Sequence, residues 1–384
     1  MDFLVLSCGT GGGHDAAART LAGTMTLRGH RAVILNPYTL HSFQLAGKID
    51  RAYVNLVQKA PSGFGAVYAA GELYRRLPCR SPVYFANRLM GGILGEYLEE
   101  NRFDAVITTH LFPAEMLTGM RDKGIPTPPV VYVATDYVCL PFTEETGCDA
   151  YVIPSAGLID EFAGCGLPRG KIYTLGIPVS SAFSRGESRE EARVRLGLDL
   201  DKKYILVSGG SMGGGRIKAA VQTLSEAVVN REDTELIVVC GSNEQLYGEL
   251  TERGVAGLTA IGFTGEMAGY MRAADLFVTK PGGLSSTEAA VCGVPLVHTA
   301  EIPGCETFNA RYFSSCGMSL SCAPTPEGLL PALDLLDDML AREAMLQKQR
   351  EIVNPDAAEQ ICSLAERLAD AGCGEAAPAW ACVS

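Results

Sequence analysis

Three clusters of residues carry the chemistry open to this chain. In the first, the apolar run Phe3-Leu-Val-Leu breaks at Ser7-Cys-Gly-Thr-Gly-Gly-Gly-His14 into a glycine-rich turn closed by an imidazole. A dinucleotide fingerprint needs a third glycine there for tight packing of helix on strand. His14 takes that place, so nicotinamide or flavin binding is disfavoured. The second cluster, Gly209-Gly-Ser-Met-Gly213, follows the apolar run Tyr204-Ile-Leu-Val-Ser208. It is not a Walker loop, because Gly215 is followed by Arg216-Ile-Lys218 and the lysine and hydroxyl are misplaced. Both turns lie where a strand gives way to a helix, and backbone N–H groups at helix starts favour anionic oxygens. A diphosphate held mainly by backbone fits such a turn, and so does a plain strand-to-helix connection. The third cluster is Thr279-Lys-Pro-Gly-Gly-Leu-Ser-Ser-Thr-Glu288, in which glycines end a strand and Ser285 or Ser286 is expected to cap a helix with Glu288 in its first turn. A carboxylate there serves the helix dipole or accepts from two vicinal hydroxyls, a pair that a ribose has.

The elements that must position these clusters alternate along the chain. Strands are expected at 3–7, 32–35, 105–108 and 130–135, with a helix over 13–28 after the first. Such alternation with short connections predicts a parallel sheet covered on both faces. After Gly176-Ile-Pro178 and a charged stretch a second cycle begins, with strands at 204–208, 236–240, 276–279 and 295–298. Two doubly wound domains follow, over 1–178 and 179–350. A last helix, within 351–372, is expected to open at Asn354-Pro-Asp with an N-cap residue ahead of proline, to bury Ile361, Leu364 and Leu368, and to stop at Gly372. The tail over 373–384 is expected to fray.

A chain of 384 residues, 47% hydrophobic and 20% charged, can fill more than one core. Its formal net charge of −12 argues against nucleic acid as a partner, since phosphate binding needs a cationic surface. The 13 cysteines include no C-x-x-C and none beside a histidine at metal-ligand spacing, which fits scattered thiols in a reducing cytoplasm. Met1-Asp-Phe-Leu-Val-Leu has no basic lead and reads as a first buried strand. No stretch approaches the roughly 18 uncharged apolar residues of a membrane span. The charge is uneven: Lys48, Arg51, Lys59, Arg75, Arg76, Arg80 and Arg88 face only Asp50 and Glu72 in that segment. Phe43, Tyr53, Phe64, Tyr68, Tyr74, Tyr84 and Phe85 are interleaved with them. Cations with amphipathic aromatics over 43–95 suit an anionic membrane surface, and an amphipathic helix pair with a solvated basic face gives the same pattern.

Taken in order, the motifs resemble a specific family. They are Gly11-Gly-Gly-His14; Val133-Ala-Thr-Asp136 with Tyr151-Val-Ile-Pro-Ser155; Gly209-Gly-Ser-Met-Gly213; Gly262-Phe-Thr-Gly-Glu-Met267 with Met271 and Asp275; Lys280-Pro-Gly-Gly283 through Glu288; and Pro303-Gly-Cys-Glu306 with Asn309. From Gly9 to about Asn309 the chain resembles the GT28 glycosyltransferases, close to the monogalactosyldiacylglycerol synthase and processive diacylglycerol glucosyltransferase family. More distantly it is similar to the enzyme that adds N-acetylglucosamine to make lipid II. The resemblance implies a GT-B fold: two Rossmann-like doubly wound α/β domains facing a cleft, with donor held by the C-terminal domain, acceptor by the N-terminal one, and the last helix returning to the first domain. It implies that Phe263, Thr264 and Met267 lie at the uracil, and that Gly209, Gly210, Ser211, Met212 and Gly213 approach the diphosphate. Lys280, Gly282, Gly283 and Ser285 join that donor site, Glu288 holds the ribose, and Glu306 with Asn309 reaches the sugar. Gly11, Gly12, Gly13 and His110 fall on the acceptor side.

The implied activity is inverting transfer of glucose or galactose from UDP-glucose or UDP-galactose to the hydroxyl of diacylglycerol, on the cytoplasmic face of the membrane, with no cofactor and no metal. Asp199-Leu-Asp201 has the look of a metal-binding pair but follows a charged linker and reads as surface. Inversion needs a base for the acceptor hydroxyl. An imidazole titrates near about 6.5 and suits that task, so His14 is the expected base and Asp136 its partner. Two positions depart from the family pattern: Asp136 is followed by Tyr137-Val-Cys-Leu-Pro-Phe142, where relatives carry a histidine or tryptophan, and Cys305 stands where they carry glutamine. The choice of sugar therefore stays open. The alternatives are a UDP-N-acetylglucosamine-dependent transferase on another lipid-linked acceptor, a UDP-sugar epimerase, and a non-catalytic nucleotide-sugar sensor.

Overall fold

The computed structural model describes residues 1–9, 12–44, 46–48, 51, 61–77, 79–210 and 217–373. The expected site residues Gly11, Ser211, Met212 and Gly213, the aromatic Tyr53, the side chain of Phe64 and the tail beyond 373 lie outside them. The chain forms two compact units, one comprising Met1–Ser180 with the helix Ala357–Cys373, the other Ser181–Pro355.

The first unit holds six parallel strands: β1 (Asp2–Leu6), β2 (Arg31–Leu35), β3 (Ala105–Thr108), β4 (Val130–Val133), β5 (Ala150–Val152) and β6 (Ile172–Tyr173), in the order β2-β1-β3-β4-β5-β6. Phe3 to Leu6 and Ala105 to Thr108 are buried on both faces, as interior strands of a helix-covered parallel sheet must be. The helix Gly12–Leu27 lays Ala17, Leu21 and Met25, with Ala18 and Ala22, on the sheet at helical spacing. Strand order reverses between β1 and β3, which run in register from Phe3 beside Ala105 to Leu6 beside Thr108. The chain therefore leaves both strands at one level, at the switch point where ligands bind in open α/β sheets.

The helix Ala357–Cys373 packs Ile361, Cys362, Leu364, Ala365 and Ala369 among Phe3, Leu21, Met25, Ile107 and Val131. Each large aliphatic group so buried stabilises by about 1.5–3 kcal/mol. It opens two residues later than expected from sequence, at Ala357 and not at Pro355 after an Asn354 cap. Pro355 and Asp356 form a turn first, and the Asp356 carbonyl accepts from Gln360 N at 3.1 Å. It also runs through Gly372 to Cys373.

The second unit holds β7 (Lys203–Ser208), β8 (Thr234–Val239), β9 (Leu258–Ile261), β10 (Leu276–Thr279), β11 (Leu296–His298) and β12 (Leu320–Ser321), all parallel, in the order β12-β11-β10-β7-β8-β9. Here the switch point falls between β7 and β10, which end together with Ser208 beside Thr279. Asp275 anchors the start of β10. It accepts from Arg193 at 2.7 Å, Arg189 at 3.0 Å and the Tyr204 amide at 2.8 Å, so this buried carboxylate is fully paired.

Candidate active site

In the first unit the switch point gathers residues from three strand ends around one imidazole. His14 lies in the first turn of the helix Gly12–Leu27, and its Nδ1 stands 2.7 Å from the Thr109 carbonyl and 2.9 Å from the Thr135 hydroxyl. A carbonyl oxygen can only accept, so Nδ1 carries the proton and donates it. Nε2 is then the basic nitrogen, and no described residue hydrogen-bonds it. The Thr109 hydroxyl donates to the His14 carbonyl at 3.0 Å and fixes the turn from the other side. Asp136, half-buried, follows Thr135 directly. Gly12 and Gly13 open the helix, where Ser7 donates to Asp15 at 2.6 Å.

His110 touches His14 edge to face, centroids 4.6 Å apart. It is the N-cap of the helix Leu111–Arg121, its Nδ1 accepting from Phe112 N at 3.1 Å. Burial, and then the charge of His14, hold the His110 imidazole well below the usual histidine range, so it stays neutral. Behind it, Tyr38 packs on Phe112 and donates to Asn87, which donates to the buried Glu115 at 2.5 Å. Burial pushes the Glu115 carboxyl up to about 8, so this wall too is uncharged near neutrality.

The hydrogen bonds that Thr109 and Thr135 make to His14 were not expected from sequence, although Thr135 stands inside the motif Val133-Ala-Thr-Asp136; only their places, one residue beyond β3 and two beyond β4, could have flagged them. Replacing Thr135 by valine keeps the shape and deletes the hydroxyl at Nδ1. We expect turnover to fall about 3- to 10-fold, the worth of one hydrogen bond, with the pH–rate profile displaced and donor KM unchanged. An unaltered pH–rate profile would show that this hydroxyl does not hold the ring.

In the second unit the loops after β7 and β10 abut. Thr279 donates to the Ser208 carbonyl at 2.8 Å and Gly210 N to the Ser208 hydroxyl at 3.2 Å. Gly210 has φ +77°, a backbone conformation that favours glycine, and a Cβ there would press on the Lys280 side chain at 3.2 Å. Gly282 and Gly283 form the N-cap and first residue of the helix Gly283–Cys292. The expected serine cap is not made, because the helix starts ahead of both serines and Ser286 instead meets Nε2 of the buried His298 at 2.8 Å, while Ser285 is half-buried. Glu288 accordingly lies in the second turn, not the first. Its half-buried carboxylate has no hydrogen-bond or ionic partner among the described residues, and burial pushes it up to about 8.

Glu306 is engaged by its own unit: one oxygen takes Lys280 and the other accepts from Ile302 N at 2.9 Å. Asn309 is fully buried and donates to the Pro281 carbonyl at 3.0 Å, so it shapes the Lys280–Gly283 turn from beneath. Phe263 stands out of the surface, Thr264 accepts from Glu266 N at 2.9 Å, and Met267 opens the helix Met267–Ala273. Asp199 and Asp201 are exposed, the first accepting from the backbone of the second. Among the described residues no cluster of three or more His, Cys, Asp or Glu is placed to hold a metal ion, and no helix is long and apolar enough to cross a membrane.

Comparison with known proteins bears on the family and the fold. The family model described as monogalactosyldiacylglycerol (MGDG) synthase matches residues 14–179, and that of the glycosyltransferase family 28 C-terminal domain matches residues 204–361. The chain is 28% identical over 280 residues to a processive diacylglycerol beta-glucosyltransferase of Staphylococcus saprophyticus, covering 71% of this chain and 68% of the relative. It is 23% identical over 355 residues to one of Bacillus pumilus, covering 91% and 90%. In structure it is similar to MurG of Acinetobacter baumannii, with a TM-score of 0.63 at 18% identity over 95% of this chain and 99% of that one, a likeness of fold.

Proposed function

Because the chain belongs to the family 28 glycosyltransferases, GT-B enzymes that take a hexose from a UDP-sugar, we propose that it transfers glucose or galactose with inversion to the hydroxyl of diacylglycerol. The observation that carries this reading is the tautomer of His14: with the Nδ1 proton committed to Thr109, Nε2 is left to take the acceptor proton. The acceptor oxygen then forms its bond to the anomeric carbon as the bond from that carbon to the UDP oxygen breaks. UDP leaves with the electron pair, and the proton stays on His14 until it is passed to solvent. Asp136, one residue beyond Thr135, steadies the imidazolium by its charge. His110, held neutral, packs on His14 without competing for the proton.

The second unit holds the donor in this reading. Glu288, desolvated and without a partner among the described residues, accepts from the two ribose hydroxyls, and Phe263 offers its exposed ring to the uracil. The diphosphate meets the Gly209–Gly210 turn and the amides that open the helix Gly283–Cys292, so no metal is required. Lys280 and Glu306 meet the β-phosphate and the sugar, with Asn309 acting through the turn it supports.

The acceptor surface is assigned to the 43–95 segment. Phe43, Phe85 and Leu89 are 83%, 52% and 79% exposed, and Arg76 of the same segment is exposed too, a combination suited to the anionic inner face of a membrane. Not every residue of that segment faces outward: Tyr84 is core and Arg75 is spent internally. Incubation of the enzyme with radiolabelled UDP-glucose or UDP-galactose and diacylglycerol in mixed anionic vesicles tests the reading. A chloroform-soluble product from one donor names the sugar. Label found only in an interconverted UDP-sugar would move the assignment to an epimerase.

A further inference from the structure

The helix Pro61–Tyr74 has two faces with different tasks. Outward it carries Val67 and Leu73, with Leu77 just beyond, all more than half exposed. Inward, one guanidinium is used up by the protein. Arg75 donates from Nε to Glu144 at 3.1 Å and from Nη2 to the same carboxylate at 2.7 Å. Nη1 reaches Glu72 at 3.0 Å and the Cys139 carbonyl at 3.3 Å. Nη2 also reaches the Leu140 carbonyl at 3.5 Å and the Cys139 sulfur at 3.7 Å. One turn back on the same face, a Cβ on Gly71 would meet Pro141 at 3.1 Å, so the loop lies directly on the helix. Tyr74 packs its ring edge to face on Phe142, a non-glycine residue held at φ +74°.

The loop so gripped is the continuation of the catalytic stretch. Three residues separate Cys139 from Thr135, whose hydroxyl is on His14 Nδ1. The Cys139 amide donates to Glu161 at 2.8 Å. A shift of the helix is therefore passed to the loop at Gly71, Tyr74 and Arg75, with little slack before Asp136.

We propose that Arg75 is a positioning residue, through which seating of the Pro61–Leu77 segment on a lipid surface sets the Thr135–Asp136 stretch against His14. This rests on the reading that the outward face meets a membrane. Arginine is suited to it because its planar fork serves a carboxylate and carbonyls at once, whereas lysine offers a point charge and no fork.

Hydrogen exchange on the full chain, with and without phosphatidylcholine vesicles containing phosphatidylglycerol, tests the coupling without relying on turnover. In the wild type, vesicles are expected to slow exchange both over 61–77 and over 136–146. In Arg75→Gln the slowing over 61–77 should persist and that over 136–146 should vanish. Turnover on vesicles should fall about 10- to 100-fold with donor KM unchanged. Arg75→Lys, which retains the charge against Glu144 and guards against a folding failure, should recover only a small part. Slowing confined to 61–77 in the wild type, or Arg75→Gln with wild-type turnover on vesicles, would overturn the coupling alone. No slowing over 61–77 would overturn the membrane reading and the coupling with it.

Discussion

Replacing His14 by alanine is expected to lower kcat about 10²- to 10⁴-fold, the usual worth of a positioned general base, with UDP binding intact. The ring is the centre of a constraint rather than a surface group. Its Nδ1 is shared between Thr109 and Thr135, its backbone carbonyl is bonded by Thr109, and its face meets His110. Alanine removes Nε2, which no described residue hydrogen-bonds, yet leaves the helix, since Ala17, Leu21 and Met25 carry its packing. Circular dichroism and UDP titration of the variant separate loss of the base from loss of the fold. A variant that binds UDP and still turns over near the wild-type rate would remove His14 from the mechanism.

The second large effect is expected at Glu288, and it is a pH effect. Burial raises this carboxyl from 4.5 to about 8, so in the free protein it is mostly protonated at neutrality. An acid whose folded-state pKa is raised lends stability below its unfolded value and loses it as pH rises through the folded one. Ribose hydroxyls donate to the ionised form and pull the other way, so donor binding must expel a proton. UDP-sugar affinity is therefore expected to tighten as pH rises from about 6 to about 8, approaching tenfold per unit at the steepest. Calorimetry in buffers of different ionisation enthalpy reads the released proton directly. Glu288→Gln should abolish both the slope and the proton release and weaken binding about 10- to 100-fold, as for a hydrogen bond to a charged group. A wild-type affinity flat across that range would mean that Glu288 does not meet the donor.

The parts of the fold legible in the sequence were those with an unbroken physical signal. Continuous apolar runs such as Phe3-Leu-Val-Leu and Tyr204-Ile-Leu-Val are read without ambiguity as strands buried on both faces, and the glycine turns after them mark the switch points. The short or edge strands were not legible. β6 and β12 have two residues each, and β9 is half-exposed Leu258-Thr-Ala-Ile, so none of them shows a period. Helix starts erred where the backbone chose its own cap, at Gly282 instead of a serine and beyond Pro355 instead of at Asn354. Within the candidate site, His14 and Glu288 drew notice in the sequence because their types stand out in glycine-rich surroundings. The part Thr109 and Thr135 play at His14 was not legible, because it depends on strands that arrive 95 and 121 residues after His14.

The anomeric configuration of the lipid product tests the central claim most directly. UDP-sugar donors are α-linked, so a single displacement with His14 taking the acceptor proton must deliver a β-glycosyl diacylglycerol, visible in the proton NMR spectrum of the purified lipid. An α-linked product would require retention of configuration, and no single displacement at this site could account for it.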